Sequence, residues 1–411
     1  MVLQKSSLLN DRTIQITGSK SESNRLLVLQ KLFGKLEILN LSNSQDSSLL
    51  KKALESESTE IDIHHAGTAM RFLTSYYSIQ NGKTTVLTGS ERMKQRPIGF
   101  LVSALRDLGA EIDYLENEGF PPLKIKGKKF DKNSVTIPAH ISSQFITSLL
   151  LIGGKLENGL QVNLEGTITS RPYLEMTLAI LEEAGIKTEF NENTITVFPK
   201  QETEDLQHKT IEVESDWSSA SYYYSLAAIG RKTIHLKSFR KNSLQGDSVL
   251  KKLYADFFGI KTIQLENDSK ITLQPIENFQ FPEQISVNMN DCPDIAQTLC
   301  VTATALKIPF NINGLATLKV KETDRLLALK NELLQLGCTT EITDDSIKSL
   351  EIKNCLENIS IKTYNDHRMA MSFAPFALVH ELNTENEDVV EKSYPDFWND
   401  FFSITEAQKL K

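Results

Sequence analysis

SQFITSLLLIGG, residues 143–154, combines the two features that decide the fold of this chain. It opens with serine, which caps helix N-termini because its side-chain oxygen accepts hydrogen bonds from free backbone N–H groups. An apolar pattern of helical period then follows. Five other segments share this design: SNRLLVLQKLFG from Ser23, TAMRFLTSYYSI from Thr68, SASYYYSLAAIG from Ser219, DIAQTLCVTATAL from Asp294 and HRMAMSFAPFAL from His367.

These six segments recur at a nearly constant interval. Their first residues are separated by 45, 75, 76, 75 and 73 positions. Each of the first five is followed by a strand-like stretch and a second helix, as in KTTVLTG (83–89) and then ERMKQRPIGFLVSALRDLG (91–109). Four second helices end at a glycine that precedes another strand, where a left-handed cap is expected. These glycines are Gly109, Gly185, Gly259 and Gly337.

Because caps, strands and glycines recur in register, the sequence predicts a repeated βαβαββ unit. We expect an α/β protein with two domains of three units each. The alternative is a large α/β protein in which the spacing is coincidental.

Composition limits the functional classes. The chain has 411 residues and a formal net charge of −8, whereas nucleic-acid binders usually carry a basic excess. No apolar run approaches the roughly 18 residues of a membrane helix, and MVLQKSSLLNDRTIQ is too polar for a secretory signal. Neither C-x-x-C nor H-E-x-x-H spacing occurs, so no zinc site is expected. We expect a cytoplasmic enzyme or binding protein with no nucleic-acid or membrane partner.

Polar and basic residues, Lys392 among them, concentrate at the starts of the first and second helices of each unit. A helix N-terminus favours anions, because its free N–H groups carry a partial positive charge. Cations such as Lys321, Arg325 and Arg368 are unfavourable there, so their positions indicate a function. Arg92 and Arg96 are four apart and should share a helix face. Such helix starts would suit a ligand that carries phosphate and carboxylate groups.

Eleven motifs, in chain order, carry a resemblance to a known family. They are GSKSESNR (18–25), AGTAMR (66–71), ERMKQRPIG (91–99), SSQF (142–145), TSRPY (169–173), DWSSASY (216–222), QGD (245–247), MNDCPD (289–294), VKETDR (320–325), YNDHRMAM (364–371) and EKSYPDF (391–397). In these motifs the chain resembles the 3-phosphoshikimate 1-carboxyvinyltransferases, or EPSP synthases, essentially from end to end.

The resemblance implies an inside-out α/β barrel arrangement with the active site in the cleft between two domains. The inserted domain would span 19–214, and 1–18 plus 215–411 would form the second. The implied reaction transfers the enolpyruvyl group of phosphoenolpyruvate to the 5-hydroxyl of shikimate-3-phosphate and releases phosphate. It proceeds by addition and elimination through a tetrahedral intermediate, in the shikimate pathway of aromatic amino-acid biosynthesis. A monomer without cofactor or metal is expected.

The resemblance also implies two subsites. The phosphoenolpyruvate subsite would contain Lys20, Gly67, Arg96, Gln144, Glu322, Arg325, Arg368 and Lys392. The shikimate-3-phosphate subsite would contain Lys20, Ser21, Arg25, Ser142, Ser143, Gln144, Ser170, Tyr173, Asp294 and Lys321.

Two carboxylates and a lysine can supply the proton transfers that this reaction needs. The resemblance assigns Asp294 to the acceptor hydroxyl and Glu322 to the methyl carbon. Lys20 would assist phosphate and proton transfer, and His367 would orient the site.

Three residues depart from the usual pattern of the family. His65 replaces an Asn that usually precedes Ala-Gly-Thr, and Thr317 replaces a common acceptor-binding Asn. Phe72, which should border the phosphoenolpyruvate pocket, replaces a frequent Pro.

Two other functions remain alternatives. The related enolpyruvyl transferase acting on UDP-N-acetylglucosamine generally carries a reactive Cys, sometimes Asp, in a mobile loop of the first-built domain. In this chain no Cys precedes Cys292. A non-catalytic binding protein on the same fold would be expected to lose Asp294, Glu322, Lys20 or His367, and all four are present.

Overall fold

The computed structural model describes residues 1–34, 36–200, 209–266 and 268–407. The chain divides into two compact units. The discontinuous unit comprises Met1–Thr17 and Glu214–Lys411, and the inserted unit comprises Gly18–Val213. The discontinuous unit begins with strands β1 (Val2–Leu3) and β2 (Arg12–Ile14).

The inserted unit contains seven described helices and ten described strands. The helices are α1 (Lys20–Phe33), α2 (Gln45–Glu55), α3 (Gly67–Ser78), α4 (Glu91–Lys94), α5 (Gly99–Leu108), α6 (Ser143–Gly153) and α7 (Arg171–Glu183). The strands are β3 (Leu36–Leu39), β4 (Glu60–Asp62), β5 (Thr84–Thr88), β6 (Glu111–Tyr114), β7 (Leu123–Lys126), β8 (Ser134–Pro138), β9 (Leu160–Glu165), β10 (Thr188–Asn191), β11 (Thr194–Val197) and β12 (Lys209–Glu212).

The rest of the discontinuous unit alternates helices and strands in the same way. Its helices are α8 (Trp217–Gly230), α9 (Leu250–Phe258), α10 (Ala296–Ala305), α11 (Arg325–Gln335), α12 (His367–Phe373) and α13 (Phe397–Ile404). Its strands are β13 (Ile234–Leu236), β14 (Ile260–Gln264), β15 (Ile271–Pro275), β16 (Ile285–Asn288), β17 (Phe310–Asn313), β18 (Cys338–Ile342), β19 (Ile347–Ile352), β20 (Ile359–Ile361) and β21 (Leu382–Thr384). Short 3₁₀ helices cover Gly246–Val249, Pro293–Ile295, Ala316–Val320, Ala374–Leu378 and Glu387–Lys392.

Four sheets repeat one topology. Their strand orders are β4-β5-β7-β6, β8-β9-β11-β10, β2-β13-β15-β14 and β16-β17-β19-β18. In each sheet the first two strands pair in parallel, and the remaining pairs are antiparallel. The parallel pair requires a crossover, which a helix supplies in three of them. The predicted βαβαββ unit is thus confirmed.

The two remaining sheets are completed by distant parts of the chain. In the inserted unit β12 pairs in parallel with β3, although about 170 residues separate them. In the discontinuous unit β1 joins β21, which pairs in parallel with β20. In each unit, a strand near the start of the unit therefore pairs with a strand near its end.

The first helices of the repeats lie inside each unit. Helix α8 is buried from Ser219 to Ala228, around its whole circumference, and a helix buried on all sides belongs in the centre. Equivalent hydroxyl residues join three such helices: Ser221 Oγ lies 3.0 Å from Thr298 Oγ1, which lies 3.1 Å from Ser372 Oγ. Their separations of 77 and 74 residues match the repeat. Small side chains let these helices approach closely while the hydroxyl groups stay hydrogen-bonded.

The predicted capping residues were wrong for the first two helices. Ser19 caps α1, four residues before Ser23, and the Ser23 hydroxyl accepts a hydrogen bond from Ser42 N instead. Helix α3 follows Ala66, which makes no side-chain cap, so Thr68 already lies inside the helix.

The remaining first helices also start slightly off the predicted residue. Ser142 caps α6, Asp216 caps α8 and Asp366 caps α12. Asp294 lies in a 3₁₀ turn that precedes α10. For α6, α8 and α12 a polar residue one to three positions earlier caps the helix, and the apolar period alone does not decide between the two candidates.

The single helix predicted over 91–109 was also wrong. It divides into α4 and α5, with a break at Pro97, because proline lacks an N–H and disfavours a helical residue before it. Arg92 and Arg96 therefore share no helix face. Lys392, which was expected at a helix start, ends a 3₁₀ helix instead.

The four predicted helix-ending glycines all adopt the left-handed conformation, with φ between 63° and 111°. They differ in the space around them. A Cβ on Gly337 would lie 2.5 Å from the Asn354 carbonyl oxygen, whereas on Gly185 it would meet only the end of the Lys200 side chain at 3.3 Å.

We predict that Gly337→Ala destabilises the protein more than Gly185→Ala. Left-handed alanine costs about 1–2 kcal/mol at either site. The backbone overlap at Gly337 adds about 1–3 kcal/mol. Urea unfolding of the two variants and the parent chain measures both losses, and equal losses would contradict this account of the space around Gly337.

Candidate active site

The centre of the site in the discontinuous unit is the Arg325 side chain, of which only 2% is exposed. Its guanidinium group donates to three carboxylates from three separate segments. Nε lies 2.6 Å from Asp366 Oδ2, Nη1 lies 3.0 Å from Asp294 Oδ1, and Nη2 lies 2.8 Å from Glu322 Oε2. A planar fork of fixed donors suits this arrangement, and lysine could not reproduce it.

Three further cations surround these carboxylates. Arg368 Nη2 lies 3.2 Å from Asp294 Oδ2, and Lys321 Nζ lies 3.3 Å from Asp294 Oδ1. Lys392 Nζ lies 2.7 Å from Glu322 Oε1. Each predicted catalytic carboxylate therefore contacts at least two cations, and both remain partly exposed at 17% and 14%.

This surplus of positive charge decides the ionisation of Asp294. Burial raises the pKa of its carboxyl group, but Arg368, Lys321 and Arg325 together outweigh burial and hold that pKa far below its usual value. Conversely, burial lowers the pKa of Arg325, but its carboxylate neighbours raise it above its usual value. Asp294 is therefore an anion at neutral pH.

Asp366 is a residue of this site that the sequence analysis missed. Its side chain is fully buried, pairs with Arg325 and also accepts a hydrogen bond from Arg368 N at 2.9 Å, which caps α12. His367, also buried, has Nδ1 3.7 Å from Asp366 Oδ1. The sequence does contain a signal for Asp366: an Asp directly before the helix that begins at His367 is a preferred N-cap residue.

Three helix starts meet at these residues. Arg368 is the second residue of α12, and its Nη2 atom contacts both Asp294, just before α10, and Ser218 Oγ, at the start of α8, at 3.2 Å. The predicted concentration of polar residues at helix starts thus brings seven predicted site residues into one cluster in this unit: Asp294, Lys321, Glu322, Arg325, His367, Arg368 and Lys392.

The inserted unit contains a second, differently built cluster around Arg25. Its guanidinium group donates to the Thr177 hydroxyl at 2.8 Å, to Ser21 O at 2.7 Å and to Tyr173 O at 3.2 Å. These acceptors are neutral, and burial lowers the pKa of Arg25 to about 10. The nearby Glu22 carboxylate offsets burial only in part, and the hydrogen-bond acceptors carry no charge, so the surroundings of Arg25 favour an anionic ligand.

Gly67 and Arg96 lie in direct contact, although most of α3, all of β5 and α4 separate them in sequence. A Cβ on Gly67 would lie 2.4 Å from Arg96 Nη1, so only glycine leaves room for this guanidinium group. Arg71 donates to Gly67 O and to Pro97 O, each at 3.1 Å, and so links the start of α3 to the segment that carries Arg96. Arg96 is held against the start of α3 in this way.

Other predicted residues of the inserted unit occupy three helix starts. Ser142 caps α6 by accepting from Gln144 N, Ser143 is the first residue of α6, and the Gln144 amide donates to the Thr68 hydroxyl at 3.3 Å. Lys20, the first residue of α1, pairs with Asp46 at 3.3 Å.

The start of α7 carries Ser170 and Tyr173. Ser170 is non-glycine yet left-handed, with φ 53°, a conformation that concentrates at functional sites. Its carbonyl accepts a hydrogen bond from Tyr173 N at 3.0 Å.

The three departures from the family pattern have distinct surroundings. His65 Nδ1 lies 2.7 Å from the hydroxyl of Ser90, which caps α4. The buried Phe72 ring lies beneath the Arg25 guanidinium carbon, 5.8 Å from it, so this residue adjoins a predicted shikimate-3-phosphate contact. Thr317 lies in the 3₁₀ helix before α11.

Within the described ranges, no group of three or more His, Cys, Asp or Glu side chains is arranged to hold a metal ion. None of the helices in those ranges combines the length and apolar character needed to cross a membrane.

Comparisons with known proteins show the family of this chain. A family model described as EPSP synthase (3-phosphoshikimate 1-carboxyvinyltransferase) matches residues 27–401. The 3-phosphoshikimate 1-carboxyvinyltransferase of Bacteroides fragilis (strain YCH46) is 43% identical over 394 residues, which cover 94% of each chain.

Solved structures show the same fold at lower identity. An EPSP synthase from Acinetobacter baumannii superposes with a TM-score of 0.75 at 20% identity and covers 99% of both chains. The enolpyruvyl transferase NikO from Streptomyces tendae gives a TM-score of 0.73 at 12% identity, covering 100% of this chain and 99% of its own. The fold alone therefore does not select an acceptor, but the family model and the sequence identity do decide the family. This chain belongs to the EPSP synthase (3-phosphoshikimate 1-carboxyvinyltransferase) family.

Proposed function

We propose that this chain transfers the enolpyruvyl group of phosphoenolpyruvate to the 5-hydroxyl of shikimate-3-phosphate. The observation that carries this proposal is the pair of carboxylates, Asp294 and Glu322, held by Arg325 among three further cations in a family member. Anionic substrates need the cations, and the reaction needs groups that move two protons.

The acceptor would bind mainly through the inserted unit. Arg25 lacks a charged partner among its described hydrogen-bond acceptors, so a carboxylate or phosphate of shikimate-3-phosphate would complete its environment. Ser142, Ser143 and Ser170 lie at helix starts, where free N–H groups favour phosphate.

The addition step forms a bond from the acceptor oxygen to C2 of phosphoenolpyruvate, while C3 gains a proton and becomes a methyl group. Glu322 would deliver that proton after first taking one up, because its ion pairs with Arg325 and Lys392 favour the ionised carboxylate. The elimination step then breaks the bond from C2 to the phosphate oxygen, and the methyl group returns its proton to Glu322. Arg325 and Lys392 contact both oxygens of Glu322, so its position is fixed throughout.

Asp294 would orient the acceptor hydroxyl rather than keep its proton. Because the neighbouring cations hold its pKa far below the usual value, Asp294 is a weak base in the free enzyme. It can accept a hydrogen bond from the hydroxyl and stabilise the proton as it leaves, but another group must finally take that proton.

We also propose a domain organisation for this chain. The two compact units would act as the two domains of three repeats, 19–214 and 1–18 plus 215–411. Their strand topology and their ends at Gly18 and Val213 support this division. A cytoplasmic monomer with no nucleic-acid partner is the expected state.

The proposal is tested by following phosphate release from phosphoenolpyruvate by the purified full chain. Release should require shikimate-3-phosphate and yield one phosphate per enolpyruvyl product. Release with UDP-N-acetylglucosamine instead would assign the chain to the other acceptor, and no release with either would leave a binding protein.

A second prediction concerns Gly67→Ala. The new methyl group must displace the Arg96 guanidinium group, which is the free end of a side chain, so the fold should survive. Loss of one charge-assisted contact should raise the KM for phosphoenolpyruvate about tenfold or more, with little change in the KM for shikimate-3-phosphate.

Gly99→Ala is the matched control, because its Cβ would meet no atom closer than 3.5 Å. Steady-state kinetics on both variants give the comparison. An unchanged KM for phosphoenolpyruvate in Gly67→Ala would remove Arg96 from that subsite.

A further inference from the structure

Two sequence motifs, DWSSASY (216–222) and QGD (245–247), have no role in the chemistry described so far. The structure brings them together in the discontinuous unit. The buried Gln245 side chain accepts from Trp217 N at 2.9 Å and donates to Ser215 O at 2.9 Å. The QGD loop is therefore fixed to the start of α8.

This attachment places Asp247 beside the catalytic cluster. Asp247 is only 3% exposed. Its Oδ2 atom accepts a hydrogen bond from the Ser218 hydroxyl, and its buried Oδ1 atom has no hydrogen-bond partner among the described residues. A half-satisfied buried carboxylate costs stability, so a purely structural role does not account for it.

The Ser218 hydroxyl connects this carboxylate to Arg368. A serine hydroxyl has one proton and two lone pairs. Because the proton is given to Asp247, a lone pair is free to accept from Arg368 Nη2 at 3.2 Å. The same nitrogen lies 3.2 Å from Asp294 Oδ2. A continuous chain therefore runs from Asp247 through Ser218 and Arg368 to Asp294.

We propose that Asp247, acting through the Ser218 hydroxyl, is a positioning residue that holds Arg368 against Asp294 during enolpyruvyl transfer. The proposal rests on the proposed function of this site. Asp247 fixes the direction of the Ser218 hydroxyl. That hydroxyl in turn fixes Arg368 Nη2, the nitrogen that contacts Asp294.

Electrostatics are consistent with this arrangement. Burial and the nearby Asp294 carboxylate raise the pKa of Asp247 to about 6, while Arg368 acts in the opposite direction. Arg368 thus lies between two carboxylates, one in direct contact and one reached through a hydroxyl group. Removing the Asp247 carboxylate should let the Arg368 guanidinium group shift toward Asp294 or toward substrate.

The test measures turnover of Asp247→Asn, Ser218→Ala and the double variant with phosphoenolpyruvate and shikimate-3-phosphate. Displacement of a reacting group by about 1 Å can cost about a hundredfold, so each single variant should lose about 10- to 100-fold in kcat. Shikimate-3-phosphate binding should change less than about threefold, since most of its proposed contacts lie in the inserted unit.

The double variant distinguishes the proposed chain from two independent effects. If Asp247 acts through Ser218, the double variant should be no slower than the slower single variant. Either single substitution already breaks the chain of hydrogen bonds from Asp247 through Ser218 to Arg368. Losses that multiply, or single variants with the kcat of the parent chain, would overturn the proposal. If Asp247→Asn fails to fold, Ser218→Ala alone decides, since an unchanged kcat would still refute it.

Two controls separate this inference from other causes. Ser225→Ala removes a hydroxyl two turns along α8, where it contacts Thr302, and should keep the parent kcat. Asp400→Asn removes another carboxylate whose pKa burial raises to about 6, and should also keep it. Absence of phosphate release by the parent chain would refute the proposed function itself, whereas an active parent with active variants would refute only the role of Asp247.

Discussion

The Arg325 guanidinium group joins three parts of the discontinuous unit that are distant in sequence. It bonds to Asp294 before α10, to Glu322 before α11 and to Asp366 at the cap of α12. Removal of one partner from a buried ion pair costs about 3–5 kcal/mol, because the other charge is left uncompensated. Arg325 is the one side chain that contacts both predicted catalytic carboxylates, whereas Lys321 and Arg368 contact only Asp294, and Lys392 contacts only Glu322.

The repeated fold explains how such a cluster arises. Each βαβαββ unit places the start of its first helix at a corresponding position, and the three first helices pack through Ser221, Thr298 and Ser372. A side chain at one helix start thus meets side chains at the other two. The same packing in the inserted unit, through Ser75 and Ser148, aligns the helix starts that carry Gly67 and Ser143.

Much of this could be predicted from the sequence, because the repeat is a local pattern. The helix-ending glycines, the βαβαββ order and the concentration of polar residues at helix starts were all predictable. The break at Pro97 was also encoded locally but was overlooked. Asp366 was missed because its role depends on Arg325, which lies 41 residues away in sequence. Such pairings follow from packing between repeats, which periodicity within one repeat does not reveal.

Glu322, which lies between Arg325 and Lys392, moves the proton to and from the methyl carbon in the proposed reaction. The most direct measurement is the turnover of Glu322→Gln alongside its equilibrium binding of shikimate-3-phosphate. Glutamine keeps the shape of the side chain but cannot carry the proton, so turnover should fall about 10²- to 10⁴-fold. Acceptor binding should stay within about tenfold of the parent chain. Near-normal turnover, or loss of acceptor binding in parallel with turnover, would show that Glu322 has a structural role instead.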